Sequence, residues 1–457
     1  MIRLFNVYYP TRTLVLLLCE VLLVGGSFLL ATAFLMGPDT YIVLIYQNGL
    51  LEIAGITAFT LLLTYYFDLY EPRRISRSWE IYFRLLLVLS VLSFVLAGAV
   101  SLFPDLYIGP HIFFTSISIL TVALVFWRWA YDWIIGLPIF RERVYVLGNG
   151  HLARSVVETL RASRDAGLEI VGWRGESEVH GQSDCFAADL RSFCHPKPGV
   201  DRVIVAMENR REAMPVRELL NLRLCGVVIE NSSTLLERLS GKLPLDGLNP
   251  STLIFAEGFD ISAVQRLLRR LLSFAVAFLA LVICLPFFPF ILLAVRLSSP
   301  GPIFFSQTRV GLRGDLFTLY KFRTMRTDAE ANGAVWAAKD DSRVTRIGRL
   351  MRNTRLDEIP QLWNVLRGDM AFVGPRPERP EFVQWLSREI PYYDLRHMIR
   401  PGLTGWAQVR FRYGASLEET KRKLEYDLYY VKHLSIGLDL LIMFETIKTI
   451  ILRRGSQ

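Results

Sequence analysis

Five apolar stretches, four of them within the first third of the chain, limit what this sequence can fold into more than any other feature. Thr13–Met36, Ile42–Phe67, Ile81–Phe103 and Ile112–Ile135 are each long enough to cross about 30 Å of hydrocarbon. They predict a four-helix transmembrane bundle within residues 1–138. In the second stretch Gln47, Asn48 and Glu52 are costly in lipid, which points either to an expensive span or to a helix packed inside the bundle. The first stretch has no A-x-A-like cleavage site and is followed by further spans, so it reads as an anchor rather than a removable signal. Arg3 and Arg12 precede the first stretch, and Arg73, Arg74 and Arg77 lie between the second and third. The other connections, Gly37-Pro38-Asp39-Thr40 and Pro104-Asp105-Leu106-Tyr107, carry no Lys or Arg. The positive-inside rule therefore places both ends of the bundle in the cytoplasm.

The fifth stretch, about 271–297, contains Pro286 and Pro289 near its middle, where each proline removes a helix hydrogen bond and bends the axis. Arg266, Arg269 and Arg270 precede it, and Arg296, Arg309 and Arg313 follow. With both flanks basic, a helix that enters and leaves on the cytoplasmic face satisfies the charge rule better than a kinked span.

Between the fourth and fifth stretches, residues 139–262 read as a soluble, Rossmann-like α/β domain. Arg143–Leu147 is a β-branched run followed by Gly148-Asn149-Gly150-His151-Leu152-Ala153 and a helical pattern through Leu160. This GxGxxA strand-turn-helix makes Gly148 and Gly150 possible nucleotide-binding positions, with backbone N–H groups aimed at a phosphate. Further β-like runs at Glu169–Trp173, Val203–Ala206 and Gly226–Glu230 suit a parallel sheet. Glu169 begins its strand instead of ending it, and no Tyr-x-x-x-Lys follows before Asp260, which argues for a domain without catalysis.

Charge is concentrated at the C-terminal end. From Ser298 onward the chain has 26 Lys and Arg against 18 Asp and Glu, eight of its nine net positive charges. Dispersed basic charge beside membrane segments fits acidic headgroups and phosphate-bearing substrates, and no nucleic-acid motif accompanies it. The five cysteines and six histidines are scattered, with no disulfide framework and no zinc or HExxH spacing.

Ser299-Pro300-Gly301-Pro302 reads as a turn, Ile303–Phe305 as a short strand, and Val310–Asp315 as a glycine-rich turn into Leu316–Tyr320. The resulting hairpin delivers Lys321 and Arg323 to one strand face. In Arg343–Arg355, the residues Ile347, Leu350, Met351 and Thr354 form an apolar stripe opposite arginines, a basic amphipathic helix suited to an anionic membrane surface. It runs into Leu356-Asp357-Glu358-Ile359-Pro360. Pro360 marks the first turn of the next helix, so Asp357 and Glu358 fall at its positive end with Arg352 and Arg355 nearby. That setting favours ionised carboxylates, as a nucleophile or a Mg²⁺ ligand requires, although Asp-Glu before a helix also serves as a simple cap. Arg367-Gly368-Asp369 and Gly374-Pro375-Arg376-Pro377-Glu378 follow, then Arg400–Val409. These are proline-fixed loops that present guanidinium groups in preset orientations for phosphate.

Ser299-Pro300-Gly301-Pro302, Lys321-Phe322-Arg323-Thr324-Met325, the run Leu356–Val365, Gly374-Pro375-Arg376-Pro377-Glu378 and the run Arg400–Val409 occur in an order that resembles the bacterial sugar transferase family. These are monotopic phosphoglycosyl transferases, and four spans plus a nucleotide-fold-like domain look like its large subclass. The resemblance covers about Arg266–Arg454 and makes residues 263–457 the mixed α/β transferase domain at the membrane interface. It implies that Asp357 attacks the β-phosphate of a UDP-sugar, expelling UMP, and that undecaprenyl phosphate then takes the phosphosugar from the aspartyl intermediate. By the same resemblance Glu358 supports the nucleophile, and Lys321, Arg323, Arg355 and Arg376 bind phosphate. Mg²⁺, with Asp357 and Asp369 as ligands, neutralises the diphosphate, and Pro286 breaks the re-entrant helix. Thr324 stands where the family pattern more often has serine. Glucose or galactose is the expected sugar, with an N-acetylated sugar next, and a homodimer in the bacterial inner membrane is the expected assembly. Two other readings are a membrane-bound NAD-dependent nucleotide-sugar dehydratase and a non-catalytic assembly scaffold.

Overall fold

A computed structural model describes residues 2–70, 78–102, 109–148, 150–163, 167–173, 190, 193, 199–207, 214–245, 248, 258–259, 262–326, 341, 343–411 and 416–451. Arg73, Arg74 and Arg77, the Pro104–Tyr107 connection and Asn149 lie outside the described residues, so the orientation they suggest is not addressed by the fold.

The chain forms two compact units: residues 9–232, and residues 233–457 together with Arg3–Tyr8. The second unit therefore begins some thirty residues before position 263. It also takes in most of a short N-terminal hairpin, β1 (Ile2–Leu4) and β2 (Val7–Tyr9), which sequence periodicity does not reveal. Long-range polar contacts explain the assignment. Tyr429 donates to the Asn6 carbonyl at 2.9 Å, and Trp406 donates to the Gly241 carbonyl at 2.8 Å.

In the first unit α1 (Thr11–Met36), α2 (Gly49–Tyr66), α3 (Ser78–Leu102) and α4 (Pro110–Gly136) are long and apolar enough to cross a membrane. They share one apolar core, to which Phe28, Ile56, Leu92 and Leu120 contribute. The second expected span is shorter than its apolar stretch. A π-turn over Ile42–Tyr46 ends at Gln47, and Asn48 turns left-handed at φ +60° before α2 starts. The polar pair breaks the helix rather than riding within it. The one carboxylate buried in α1, Glu20, is paired with Arg128 of α4 at 2.6 Å, as a charge within apolar surroundings requires.

The same unit carries a four-stranded parallel sheet in the order β4-β3-β5-β6, formed by β3 (Glu142–Leu147), β4 (Leu168–Trp173), β5 (Arg202–Val205) and β6 (Val228–Asn231). Helices α5 (His151–Ala162) and α6 (Val216–Leu224) accompany it. Counted within the unit the described strands run 2-1-3-4, the start of the second common doubly wound order, whereas a dinucleotide-binding fold runs 3-2-1-4-5-6. Gly148 is required for packing: its φ is +142°, and a Cβ there would meet the Ala206 carbonyl oxygen at 2.3 Å. Gly150 precedes α5 at φ +96°. The strand-turn-helix is thus present, and the Gly148 backbone presses on a neighbouring strand end.

The second unit opens with α7 (Ser232–Ser240) and then the broken apolar helix. Its arms are α8 (Ala263–Cys284) and α9 (Phe288–Ser298), joined by a 3-10 turn over Leu285–Phe287. The break coincides with Pro286 and Pro289. An antiparallel hairpin follows, β7 (Phe304–Val310) with β8 (Leu316–Phe322), in which Phe305 pairs with Lys321. Next come α10 (Arg346–Thr354), α11 (Gln361–Arg367), β9 (Ala371–Val373), α12 (Pro380–Glu389), β10 (Gly402–Thr404) and α13 (Trp406–Arg410). The chain ends on α14 (Leu417–Lys432) and α15 (Ile436–Ile451). One core cluster unites Ala277 of α8, Ile291 and Val295 of α9, Phe322 of β8, Met351 of α10 and Leu362 of α11. Both arms of the broken helix therefore wall the same core. The apolar stripe of α10 is divided, with Met351 buried and Leu350 60% exposed.

The basic flank of α8 is used inside the unit. Arg269 pairs with Asp439 at 2.6 Å, and Arg270 donates to the carbonyls of Val365 and Leu366 at 2.8 and 3.0 Å, holding the open C-terminal end of α11. Buried Leu438 and Ile442 make α15 a core helix on one face.

Candidate active site

The site begins where α10 stops. Arg355 takes a left-handed conformation, φ +59°, at a cost of about 1–2 kcal/mol for a non-glycine residue. That reversal sets Leu356–Glu358 as a single 3-10 turn ahead of Pro360 and α11, so the dyad does occupy the start of a helix. Asp357 and Glu358 are both buried, 6% and 7% exposed.

Their environments differ. Glu358 is the hub of three cations from three separate segments. Its Oε1 receives Arg376 at 2.7 Å and Lys321 at 3.1 Å, and its Oε2 lies 3.7 Å from Arg355. Burial alone would raise its pKa, but the charges of Arg376, Lys321 and Arg355 and the Arg376 hydrogen bond outweigh that and hold it well below the ordinary carboxylate range. Asp357 shows the opposite balance: its Oδ1 is buried without a hydrogen-bond partner. Burial, aided by the neighbouring Glu358 charge and opposed by Lys321, Arg376 and Arg352, leaves its pKa above the ordinary 3.8. The sequence suggested two readily ionised carboxylates; the fold gives one strongly stabilised anion and one desolvated, underbonded oxygen. Such an oxygen suits attack on an anionic electrophile once the surrounding cations have drawn that electrophile in.

Lys321, Arg355 and Arg376 converge here, each with its side chain 20–26% exposed, so each has room for a further anionic partner. Arg323 does not converge. Strand β8 ends at Phe322, and Arg323 turns to donate to the carbonyls of Ser299 and Pro300 at 2.6 and 3.1 Å. It satisfies the turn that closes α9 instead of facing the dyad. Asp369 also stands apart. It follows α11 while Asp357 precedes it, and at 1.5 Å per residue the helix alone separates their backbones by roughly 10 Å. Its carboxylate receives Asn364 at 3.2 Å and lies 3.7 Å from Arg367. The structure thus does not bring Asp369 and Asp357 together as joint metal ligands, and no group of three or more His, Cys, Asp or Glu suited to a metal occurs among the described residues.

Arg352, expected near the dyad, influences Asp357 electrostatically and donates to the Thr324 hydroxyl at 3.0 Å. Other contributors were not singled out from sequence. Asn364, fully buried, accepts from the Tyr320 N–H at 3.2 Å and donates to the Thr318 carbonyl at 2.7 Å. It thereby locks α11 to the strand that carries Lys321. The loop bearing Arg376 is fixed from behind by buried Arg396, which donates to the Arg376 carbonyl at 2.9 Å and pairs with Asp427 at 2.8 Å. Next to it, burial would raise the Glu378 pKa, yet Lys423, Arg396 and Arg309 bring it down to about 2. Gly402 lets this loop pass β10, since a Cβ there would meet the Gly374 nitrogen at 2.0 Å. The repeated i+4 and i+7 spacing from Asp357 to Gln361 and Asn364 was the available signal for the α11 residues.

On its apolar side the dyad adjoins a cleft of about 410 Å³ lined by Leu281, Phe288, Phe304, Ile359, Pro360 and Trp363, among others. Leu281 and Phe288 come from the two arms of the broken helix, and Ile359 and Pro360 follow Glu358 directly. The charged cluster thus lies beside an apolar cleft, the composition expected for a ligand that is anionic at one end and apolar at the other.

Residues 264–453 match the family described as bacterial sugar transferase. The UDP-N-acetylgalactosamine-undecaprenyl-phosphate N-acetylgalactosaminephosphotransferase of Aeromonas hydrophila is 40% identical over 245 residues, 53% of this chain and 56% of that protein. The UDP-glucose:undecaprenyl-phosphate glucose-1-phosphate transferase of Escherichia coli K12 is 33% identical over 314 residues, covering 67% of each chain. The protein of the same description from Caulobacter vibrioides is 40% identical over 219 residues, 46% of this chain and 82% of its own length. The chain belongs to the bacterial sugar transferase family, a family of phosphoglycosyl transferases.

Proposed function

We propose that this protein transfers a hexose-1-phosphate from a UDP-sugar to undecaprenyl phosphate and releases UMP. The observation that carries the reading is the buried, unpartnered Oδ1 of Asp357 beside a cation-neutralised glutamate. Oδ1 attacks the β-phosphorus. The bond from phosphorus to the oxygen bridging the two phosphates breaks, and its electron pair leaves on UMP. An oxygen of the acceptor phosphate then attacks the same phosphorus, and Asp357 departs as carboxylate. No net proton transfer is required in either half. Lys321, Arg355 and Arg376 hold the donor phosphates, and the apolar cleft takes the first isoprene units of the acceptor.

The donor set also fits Mg²⁺. The Asp357 carboxylate would offer one protein ligand through the oxygen that does not attack phosphorus, and Mg²⁺ commonly combines one or two carboxylates with substrate phosphates and retained waters. Held there by Asp357, the ion would neutralise diphosphate charge.

That both arms of α8–α9 wall one core supports a re-entrant segment with the site on the cytoplasmic face. The family relatives name both glucose and N-acetylgalactosamine, so either joins galactose as the candidate sugar. The dehydratase reading loses weight with the 2-1-3-4 strand order, and the scaffold reading with the intact dyad.

The test is UMP release by the purified full-length protein from UDP-glucose, UDP-galactose and UDP-N-acetylgalactosamine. One sugar should give about one equivalent of UMP per protein without acceptor, and turnover once undecaprenyl phosphate and Mg²⁺ are present. No UMP from any sugar would sink the transferase reading, and activity requiring NAD would favour the dehydratase.

The two arginines separate cleanly. Loss of a charge-assisted hydrogen bond costs about 1.5–3 kcal/mol, so Arg376→Met should raise the UDP-sugar KM roughly tenfold or more. Arg323→Met should leave KM within about threefold and lower the melting temperature, because its partners are the Ser299 and Pro300 carbonyls. Steady-state kinetics with thermal melts decide between these outcomes.

A further inference from the structure

Asp357 Oδ1 is not alone in lacking a partner. Nε2 of Gln361 is also buried without one, and Gln361 is only 3% exposed. Leaving such a donor unsatisfied costs about 1–3 kcal/mol, so a fold that retains it next to its reactive carboxylate calls for an explanation. The backbone supplies the geometry. Leu356–Glu358 is a 3-10 turn, Ile359 and Pro360 have right-handed helical angles (φ −54°, ψ −41° and φ −61°, ψ −20°), and α11 begins at Gln361. Residues 357 and 361 are therefore four residues apart along one right-handed helical turn, so their side chains leave the backbone within about a turn of each other. The two atoms do not bond each other, and a buried acceptor and a buried neutral donor are left without partners there.

A group that is attacked at one atom while accepting a hydrogen bond at another fits between them. A phosphoryl group has that form: an electrophilic phosphorus surrounded by non-bridging oxygens. The cations nearby are drawn toward Glu358, at 2.7, 3.1 and 3.7 Å, and the amide of Gln361 adds an uncharged, unpartnered donor beside them.

We propose that Gln361 is a catalytic residue whose Nε2 donates a hydrogen bond to a non-bridging oxygen of the sugar-bearing phosphate while Asp357 Oδ1 attacks its phosphorus. The assignment rests on Asp357 as nucleophile. As the Asp357–phosphorus bond forms and the bond to the UMP oxygen breaks, Gln361 holds the in-flight phosphoryl group through one oxygen and transfers no proton. The same contact serves the second half-reaction, since the phosphorus passes through the same position. Its contribution is greatest while the group is between partners, so the rate should suffer more than ground-state binding.

The test uses the full-length protein, with Gln361→Met to keep the volume and delete the donor and Gln361→Glu to place an anion there. In single turnover without acceptor, Gln361→Met should slow UMP release about 10²–10³-fold while the UDP-sugar KM changes less than about threefold. Gln361→Glu should be slower still. A direct probe avoids dependence on folding: UDP-sugars in which one β non-bridging oxygen is sulfur. The wild type should discriminate between the two diastereomers, and Gln361→Met should lose that discrimination. If Gln361→Met releases UMP at the wild-type rate, or its KM rises as much as its rate falls, the assignment is wrong. So too if diastereomer discrimination persists unchanged in the variant. Asp357→Asn run in parallel keeps the two readings distinct. If it still forms the intermediate, the nucleophile assignment fails; if it is inactive while Gln361→Met is normal, only the role of Gln361 fails.

Discussion

Asp357→Asn is expected to release no UMP from any UDP-sugar and, at neutral pH, to melt no lower than the wild type. The loss of turnover should be on the order of 10⁴-fold or more, as for removal of other covalent nucleophiles. The stability expectation follows from the sign of the shift. The folded-state pKa of Asp357 lies above its ordinary 3.8, so the protonated form is favoured by folding. Its favourable contribution is complete below that ordinary value and is lost as pH rises through the folded pKa. At neutral pH the wild type bears the cost of a desolvated charge with an unpartnered oxygen, and asparagine removes the charge. Below about pH 3.8 the advantage of the variant disappears. In the wild type the same pKa sets the acid limb of kcat/KM, which should lie above the range of an ordinary aspartate. Melts of both proteins across pH, read beside the pH–rate profile, check the argument. A variant that melts well below wild type at pH 7 would show that Asp357 stabilises the fold.

Glu358→Gln has the opposite signature, losing activity and stability together. Glu358 is held well below its ordinary 4.5 by Arg376, Lys321 and Arg355 despite its burial, so its contribution is present above about pH 4.5 and is lost as pH falls through the lower folded value. Removing one partner of a buried ion cluster typically costs about 3–5 kcal/mol. Here Lys321, Arg355 and Arg376 would face one another with no shared anion. Their heads should spread, and the donor phosphates should lose their preset cations. We expect a fall in kcat/KM of roughly 10²–10³-fold with a lowered melting temperature. Added salt should partly restore the melting temperature by screening the cations. A Glu358→Gln protein as stable as wild type would contradict this account.

Local patterns carried much of the architecture. The β7–β8 hairpin, α10, and the dyad turn ahead of Pro360 are all decided by alternation, 3.6-residue spacing and proline placement within a few residues. What the sequence did not disclose depends on contacts between distant segments. Lys321 and Arg323 alternate onto one strand face, but the strand stops at Phe322 and the Ser299 and Pro300 carbonyls claim Arg323. Asp369 is twelve residues from Asp357 in sequence, yet the whole of α11 intervenes. The upward shift of the Asp357 pKa was not legible because charge spacing is visible in a sequence and burial is not. Arg269 and Arg270 read from sequence only as a basic flank under the charge rule, and the fold spends them on Asp439 and on the end of α11. The second apolar stretch looked like a span through to Phe67, but left-handed Asn48 divides it.

The broken helix also determines how this protein can be divided. Ala277, Ile291 and Val295 fill the same core as the dyad's own neighbours Ile359 and Leu362, and Arg270 reaches across to the end of α11. A protease cut or a gene fusion joint placed after Ser298 would therefore not free a soluble enzyme from its anchor; it would open the core of the enzyme itself. The family match begins at residue 264, one residue into α8. The matched module thus has the broken apolar helix built in.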